Sequence, residues 1–275
     1  MMRNMIRKIC QSGILGFYYP SNFPIRLCLQ WRMYRNERAT IKYLRDFLKP
    51  GEVFVDIGAH IGYFAKFAGG LVDRSGSVFA FEPHPRNYKM LVRNCKHMPQ
   101  IKSINAAISD SSGQALLYEH STSDTSHAFT DLSGSGKTIA VRKLHLDEWA
   151  NANNVHQMDV VLIDVEGHEI SVLRGMRNII EKNKKIIIII EYCPSNYRHK
   201  DGKIHPLILE IQKLQLCVTC ALGQSKEYVI SEYKSWIDLE NQLAEVLAEE
   251  FNKERCDYVN IVARRQSRML RGTGR

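Results

Sequence analysis

Between Lys185 and Tyr192 the chain reads Lys-Ile-Ile-Ile-Ile-Ile-Glu-Tyr. Five consecutive β-branched residues favour an extended strand, and with no polar residue at alternate positions neither face of that strand can meet water. Layers must therefore cover both sides of a central sheet. A chain of 275 residues with 44% hydrophobic content is large enough to supply them. The isoleucine run is far shorter than the roughly 18 residues of a membrane-spanning helix.

The flanking pattern says what those layers are. Ile41, Leu44, Phe47 and Leu48 recur at helical spacing and stop at Pro50-Gly51, so a helix leads into a first strand over 53–57. Gly58 to Gly62 is a tight turn, and a helix over 63–71 ends at Gly69-Gly70 and the turn at 73–76. A second strand spans 78–81. Pro85 suits the first turn of a helix reaching about residue 96, with Tyr88, Leu91 and Val92 inward. A third strand is expected over 101–108. Alternating stretches at 114–118 and 138–142, within Ser-, Asp- and Gly-rich sequence, predict a small hairpin. Residues 159–165 form a fourth strand, 168–182 a helix, and the isoleucines a fifth strand. A helix over 204–215 and strands over 216–222 and 257–263 complete the reading. Strands alternating with helices imply an α/β, doubly wound, mostly parallel sheet with helices on both faces.

In such a sheet, ligands bind outside the carboxyl ends of the strands. This chain repeatedly places polar residues there: Asp56 and Gly58, Glu82, Ser109 and Asp110, Asp164 and Glu166, then Glu191. Gly58 and Gly62 of the first turn, Asp56-Ile-Gly-Ala59-His60-Ile-Gly62-Tyr63, let a ligand approach the backbone, and amides at the helix start can bind a carboxylate. The spacing is not the G-x-G-x-x-G of dinucleotide sites, which counts against a nicotinamide-dependent oxidoreductase, the alternative from another enzyme class. An acid such as Glu82, just after the second strand, can accept both hydroxyls of an adenosine ribose.

Together, Val53 to Tyr63, Val78-Phe-Ala-Phe-Glu-Pro83, Asn105-Ala-Ala-Ile-Ser-Asp110 and Leu162-Ile-Asp-Val-Glu-Gly-His-Glu169 resemble the FkbM family of S-adenosylmethionine-dependent methyltransferases. The resemblance covers roughly residues 50 to 195. It implies a class I methyltransferase (Rossmann-like) fold, a seven-stranded sheet with a final antiparallel strand, and O-methylation of a sugar, glycan, lipid-linked saccharide or secondary metabolite. It also implies that Asp56, Gly58 and Gly62, with Ala59, His60 and Tyr63 in the same turn, line the methionine end of the cofactor. Glu82 would meet the ribose, and Ser109 with Asp110 the adenine. His60 stands where the family often has Asn.

Transfer to an alcohol requires the acceptor oxygen in line behind the carbon–sulfur bond and a group to take its proton. Asp164 is the first choice, because the end of the fourth strand faces the cofactor methyl in this architecture. Glu166, His168, Glu169 and Glu191 are further candidates, each with a structural alternative as a cap or first-turn residue. Tyr192 and Tyr197 are candidates for the acceptor cleft, with ordinary packing the favoured reading. His84, His145, His199 and His205 are expected at the surface or in loops.

The formal charge of +9 is concentrated at the ends: +8 over residues 1–49 and +5 over 264–275, leaving −4 for the body. A basic extension over 1–40, a methyltransferase domain over 41–265 and a basic tail over 266–275 follow. The extension is read as solubilising, with peripheral membrane contact through Arg3, Arg7 and Lys8 as the alternative. Peripheral charge, and the absence of an Asn/Asp-Pro-Pro-aromatic segment or a Pro-Cys dipeptide, disfavour a nucleic-acid methyltransferase, so no specific nucleic-acid partner is expected. Seven scattered cysteines point to free thiols in a reducing, cytoplasmic compartment. The lone Cys217-x-x-Cys220 reads as part of a buried strand, and no metal site is expected.

Overall fold

The structure, a computed structural model, describes residues 37–119, 127–128, 136–196, 204–230, 232–254 and 256–265. The basic N-terminal segment, the C-terminal tail, Tyr197 and His199 lie outside them. Helix α1 (Arg38–Phe47) precedes β1 (Val53–Ile57), α2 (Tyr63–Val72), β2 (Ser77–Phe81), α3 (Pro85–Cys95) and β3 (Ile101–Ile104). Then come β4 (Ala107–Ser109), β5 (Gly113–Glu119), β6 (His127–Ala128), β7 (Thr138–His145) and α4 (Leu146–Ala152). The second half holds β8 (Val160–Ile163), α5 (Glu169–Gly175), α6 (Arg177–Lys182), β9 (Ile187–Tyr192), α7 (Pro206–Lys213), β10 (Leu216–Leu222), β11 (Glu227–Val229), α8 (Trp236–Glu254) and β12 (Val259–Arg265). Arg38, Ala39 and Thr40, which the charge pattern assigns to the extension, form the first turn of α1.

The main sheet has the order β11-β10-β12-β9-β8-β1-β2-β3. Strands β3, β2, β1, β8 and β9 are parallel, and β12 returns antiparallel between β9 and β10. These seven strands are the expected sheet; the three-residue β11 adds a short eighth at the edge. The chain steps from β1 to β2 on one side and to β8 on the other, and such a reversal opens a crevice at the carboxyl ends.

The isoleucine run divides between two cores. Ile188 and Ile190 pack with Val55, Phe79, Val161 and the apolar faces of α4, α5, α6, α7 and α8. Ile187 and Ile189 pack with Phe54, Val78, Leu162 and the faces of α1, α2 and α3. Helices thus cover both faces, as the run demands. On α3 Leu91 and Cys95 are buried with Asn87 and Asn94, and Tyr88 packs against the same core as expected, while Val92 turns outward, 42% exposed.

Three elements depart from the sequence reading. The expected strand over 101–108 breaks because the Asn105 side-chain amide donates to the carbonyls of Glu82 and Pro83. The chain then leaves the main sheet, and β4 joins β7, β5 and β6 in a second sheet, with Ser109 opposite His145. The helix over 168–182 is two helices, since both Asp147 carboxylate oxygens cap a new start by accepting the Asn178 and Ile179 amides. Helix α8, at 19 residues the longest described, has no counterpart in the expected elements. The remaining strand of the CxxC segment falls where expected, over Leu216–Leu222.

Candidate active site

Asp56 lies in β1 between Ala80 and Leu162 of the neighbouring strands. Its side chain is 1% exposed, and its Oδ2 has no hydrogen-bond partner. Burial raises its pKa to about 7; the Ala65 amide opposes the rise and the charge of Glu82 adds to it.

The turn after β1 is held by protein contacts. Gly58 and Ala59 both donate their amides to the Phe81 carbonyl. Gly58 has φ +92°, and a Cβ there would stand 1.7 Å from the Asp164 carbonyl oxygen. Gly62 has φ +89°, and its Cβ would stand 2.7 Å from Leu91 Cδ1 and 3.2 Å from Cys95 Sγ. Both glycines are therefore required by backbone conformation and by close packing. The expectation that they serve ligand approach has this prior structural cause. Ala59 is buried, His60 adopts φ +48°, and Tyr63 opens α2, half-buried, with its ring edge-on to Phe64.

Glu82 follows β2 and is 5% exposed. Its two oxygens accept the amides of His60 and His84, each at 2.8 Å. Burial raises its pKa to about 7 against those two amides and the Asn87 side chain. A carboxylate has about four acceptor positions, so these three donors leave room for a further one.

Asp164 sits just beyond β8, its amide donating to the Ile57 carbonyl. Its carboxyl is pushed well above the usual range by burial first, then by the charges of Glu166, Glu37, Glu169 and Asp56. Glu191, in β9 opposite Asn260 of β12, is 9% exposed with an unpartnered Oε2. It is raised likewise by burial, then by Asp164, Glu166 and Glu169. Glu166 occupies the left-handed region at φ +52°, followed by Gly167 at +93°. A non-glycine residue there costs about 1 kcal/mol or more, and such strain gathers at functional loops. Glu169 begins α5 and accepts the Gly167 amide.

Two residues that carry no sequence signal complete this rim. Because β12 runs antiparallel, its amino end lies where the parallel strands finish, and Tyr258 just precedes it. Its hydroxyl donates to Glu37 Oε1 at 3.2 Å, at the start of α1. Burial raises Glu37 to about 7, against hydrogen bonds from Tyr258 and Thr40.

Ser109 ends β4 in the second sheet and Asp110 follows it, so neither lies at the end of the third strand of the main sheet. His168, a candidate base by sequence, turns toward them: its Nε2 lies 3.0 Å from Ser109 Oγ. Other expectations also change. His84 and His205 are buried at 4% and 1%, His205 accepting the Leu207 amide at the start of α7. Tyr192, by contrast, packs as the sequence favoured: it is 5% exposed and edge-on to His205, 5.0 Å between ring centres.

The rim thus holds Asp56, Glu82, Asp164, Glu166, Glu191 and Glu37 at one sheet edge, several with raised pKa. Two buried acceptor oxygens there lack donors, a composition suited to a ligand with cationic and hydroxyl donors. Among the described residues, no group of three or more His, Cys, Asp or Glu is arranged to hold a metal ion, and no helix is long and apolar enough to cross a membrane.

Residues 56–217 match the family described as methyltransferase FkbM domain. The chain is 31% identical over 206 residues to the hexuronic acid methyltransferase AglP of Haloferax volcanii, covering 73% of this chain and 79% of that protein. It is 27% identical over 154 residues to the 2-O-methyltransferase NoeI of Sinorhizobium fredii, covering 50% of this chain and 63% of that protein. Among solved structures, Aeropyrum pernix fibrillarin with bound S-adenosyl-L-methionine shares 13% identity over 85% of this chain and 76% of that one, with a TM-score of 0.48, too distant to bear on function. The chain belongs to the FkbM methyltransferase family and is an S-adenosylmethionine-dependent methyltransferase.

Proposed function

We propose that this FkbM-family enzyme methylates a hydroxyl of a sugar or glycan, with Asp164 as the base that takes the hydroxyl proton. The observation that carries the reading is the pair of buried, unpartnered oxygens, Asp56 Oδ2 and Glu191 Oε2, on either side of Asp164 at the reversal point of the sheet. A buried acceptor without a donor costs about 1–3 kcal/mol, so the site gains by receiving donors. The relatives that act on a hexuronic acid and at a 2-oxygen support the acceptor class.

S-adenosylmethionine, when bound, supplies a methyl group on a positively charged sulfur. The chain's residues do the rest. Asp56 receives the cofactor ammonium, Glu82 the ribose hydroxyls and Asp110 the adenine amino group. The turn at Gly58, Ala59, His60, Gly62 and Tyr63 carries the methionine end. Asp164 would accept the hydroxyl proton as the acceptor oxygen takes the methyl group that the cofactor would supply, the sulfur keeping the electron pair of the broken bond. Glu191 and Glu166 hold the acceptor beside it. A nearby positive charge favours the ionised form of a carboxyl, so Asp164, raised in the ligand-free protein, would become a competent base beside a bound sulfonium.

The test is incubation with methyl-labelled S-adenosylmethionine and two acceptor panels, nitrophenyl glycosides including glucuronides, and duplex or single-stranded RNA. Label on a glycoside hydroxyl, located by mass spectrometry, is the expected result. Label confined to RNA would replace the sugar reading with a nucleic-acid one.

A further inference from the structure

The loop after β8 is joined to the turn after β4 by one chain of hydrogen bonds. His168 Nε2 meets Ser109 Oγ at 3.0 Å, and Ser109 Oγ meets Asp110 Oδ1 at 3.2 Å. A second hydroxyl, Ser111 Oγ, reaches the same Oδ1 at 3.3 Å, itself receiving Lys143 Nζ at 2.8 Å. Burial pushes Asp110 up, but the Ser109 and Ser111 hydroxyls with the charges of Lys143 and His168 outweigh it and hold the carboxyl below its usual range. An ionised carboxylate can only accept, so Ser109 must spend its single proton on Asp110. The imidazole nitrogen that meets Ser109 must then be the donor. The direction is fixed from His168 through Ser109 to Asp110.

Ser109 cannot drift from this position. It is 2% exposed, pairs with His145 across β4 and β7, and lies under the Gly175 backbone so closely that a Cβ there would stand 2.1 Å from its carbonyl oxygen. Asp110, by contrast, is exposed, and its Oδ2 receives no hydrogen bond among the described residues. One carboxylate oxygen is thus held by two hydroxyls, while the other, on an exposed residue, is left to accept from a ligand.

We propose that His168 is a positioning residue of the cofactor site: through Ser109 it fixes Asp110 so that Oδ2 faces the exocyclic amino group of the adenine. This rests on the placement of adenine at Asp110 in the proposed function. It moves His168 from the acceptor side, where its place beside Glu166 suggested it, to the cofactor side. An amino group donates to Oδ2, whereas the carbonyl of hypoxanthine at the same position would face the carboxylate with a lone pair. The relay therefore bears on which purine is accepted.

The test compares binding of S-adenosylhomocysteine and S-inosylhomocysteine by calorimetry, in wild type, His168→Ala, His168→Gln, Ser109→Ala and Asp110→Ala, with thermal melts to confirm folding. His168→Ala and Ser109→Ala are expected to weaken S-adenosylhomocysteine binding about fivefold to tenfold, the size of one hydrogen bond, and to narrow the preference for adenine. His168→Gln, whose amide can donate to Ser109, is expected to restore most of both. A purely structural His168 would alter the melt and leave the purine ratio unchanged, and that result overturns the proposal. If Asp110→Ala also leaves binding unchanged, the adenine placement fails and the proposal with it. If Asp110→Ala weakens binding while His168→Ala does not, the placement stands and the relay alone is refuted.

Discussion

The backbone of Gly58 and the carbonyl of Asp164 approach so closely that a single added carbon would lie 1.7 Å from that oxygen. The turn proposed to carry the methionine end of the cofactor and the strand end that carries the proposed base are thereby one rigid unit. Gly58→Ala combines this clash with an unfavourable positive φ. It is expected to cost about 2–4 kcal/mol and to lose cofactor binding; chemical denaturation and calorimetry report the two effects.

Asp56 and Glu82, raised to about 7, hold protons in the folded, ligand-free protein at pH values where an unfolded chain has lost them. The folded state then binds more protons than the unfolded one between roughly pH 4 and 7, so stability falls as pH rises through 7. A cationic ligand favours the ionised forms and releases those protons. The melting temperature of the free protein is expected to fall from pH 6 to pH 8, while affinity for S-adenosylmethionine rises over that interval and then levels. Asp56→Asn should flatten the melting trend, and buffer-dependent calorimetry should show proton release on binding by wild type.

Glu37 raises Asp164 by its charge. Replacing it with Gln removes that charge, so Asp164 ionises at lower pH. The acid limb of kcat/KM for methyl transfer is expected to move to lower pH in Glu37→Gln, with the alkaline side little changed. A pH–rate profile of the two proteins decides it; coincident profiles would separate Glu37 from the base.

Away from the site, Glu250 of α8 accepts the Tyr228 hydroxyl at 2.7 Å and the Gln224 amide at 2.9 Å. Glu250→Ala orphans both donors and is expected to destabilise the fold by about 2–4 kcal/mol, read by urea denaturation, with cofactor affinity unchanged in the folded protein.

The isoleucine run was enough to demand a covered sheet, and the acids at its strand ends could be named because each follows a strand whose end is marked by sequence. Glu37 and Tyr258 could not be found that way. Their place on the rim comes from an antiparallel return and from a helix that starts beside it, both long-range facts. Asn105 and Asp147 likewise break a strand and split a helix by bonding residues about 22 and 31 positions away. In α8 the inward stripe of Leu239, Leu243 and Val246 continues to Glu250, a buried carboxylate that apolar periodicity does not register. The sequence offers His168 only as a candidate base, and the fold alone shows that its Nε2 faces Ser109.

The most direct test is the rate of methyl transfer by Asp164→Asn, measured with labelled cofactor at saturating concentration on the glycoside that wild type methylates best. Loss of a general base predicts a fall of roughly 10²–10⁴-fold, with the variant still folded and still binding S-adenosylmethionine. Transfer at the wild-type rate would contradict the account.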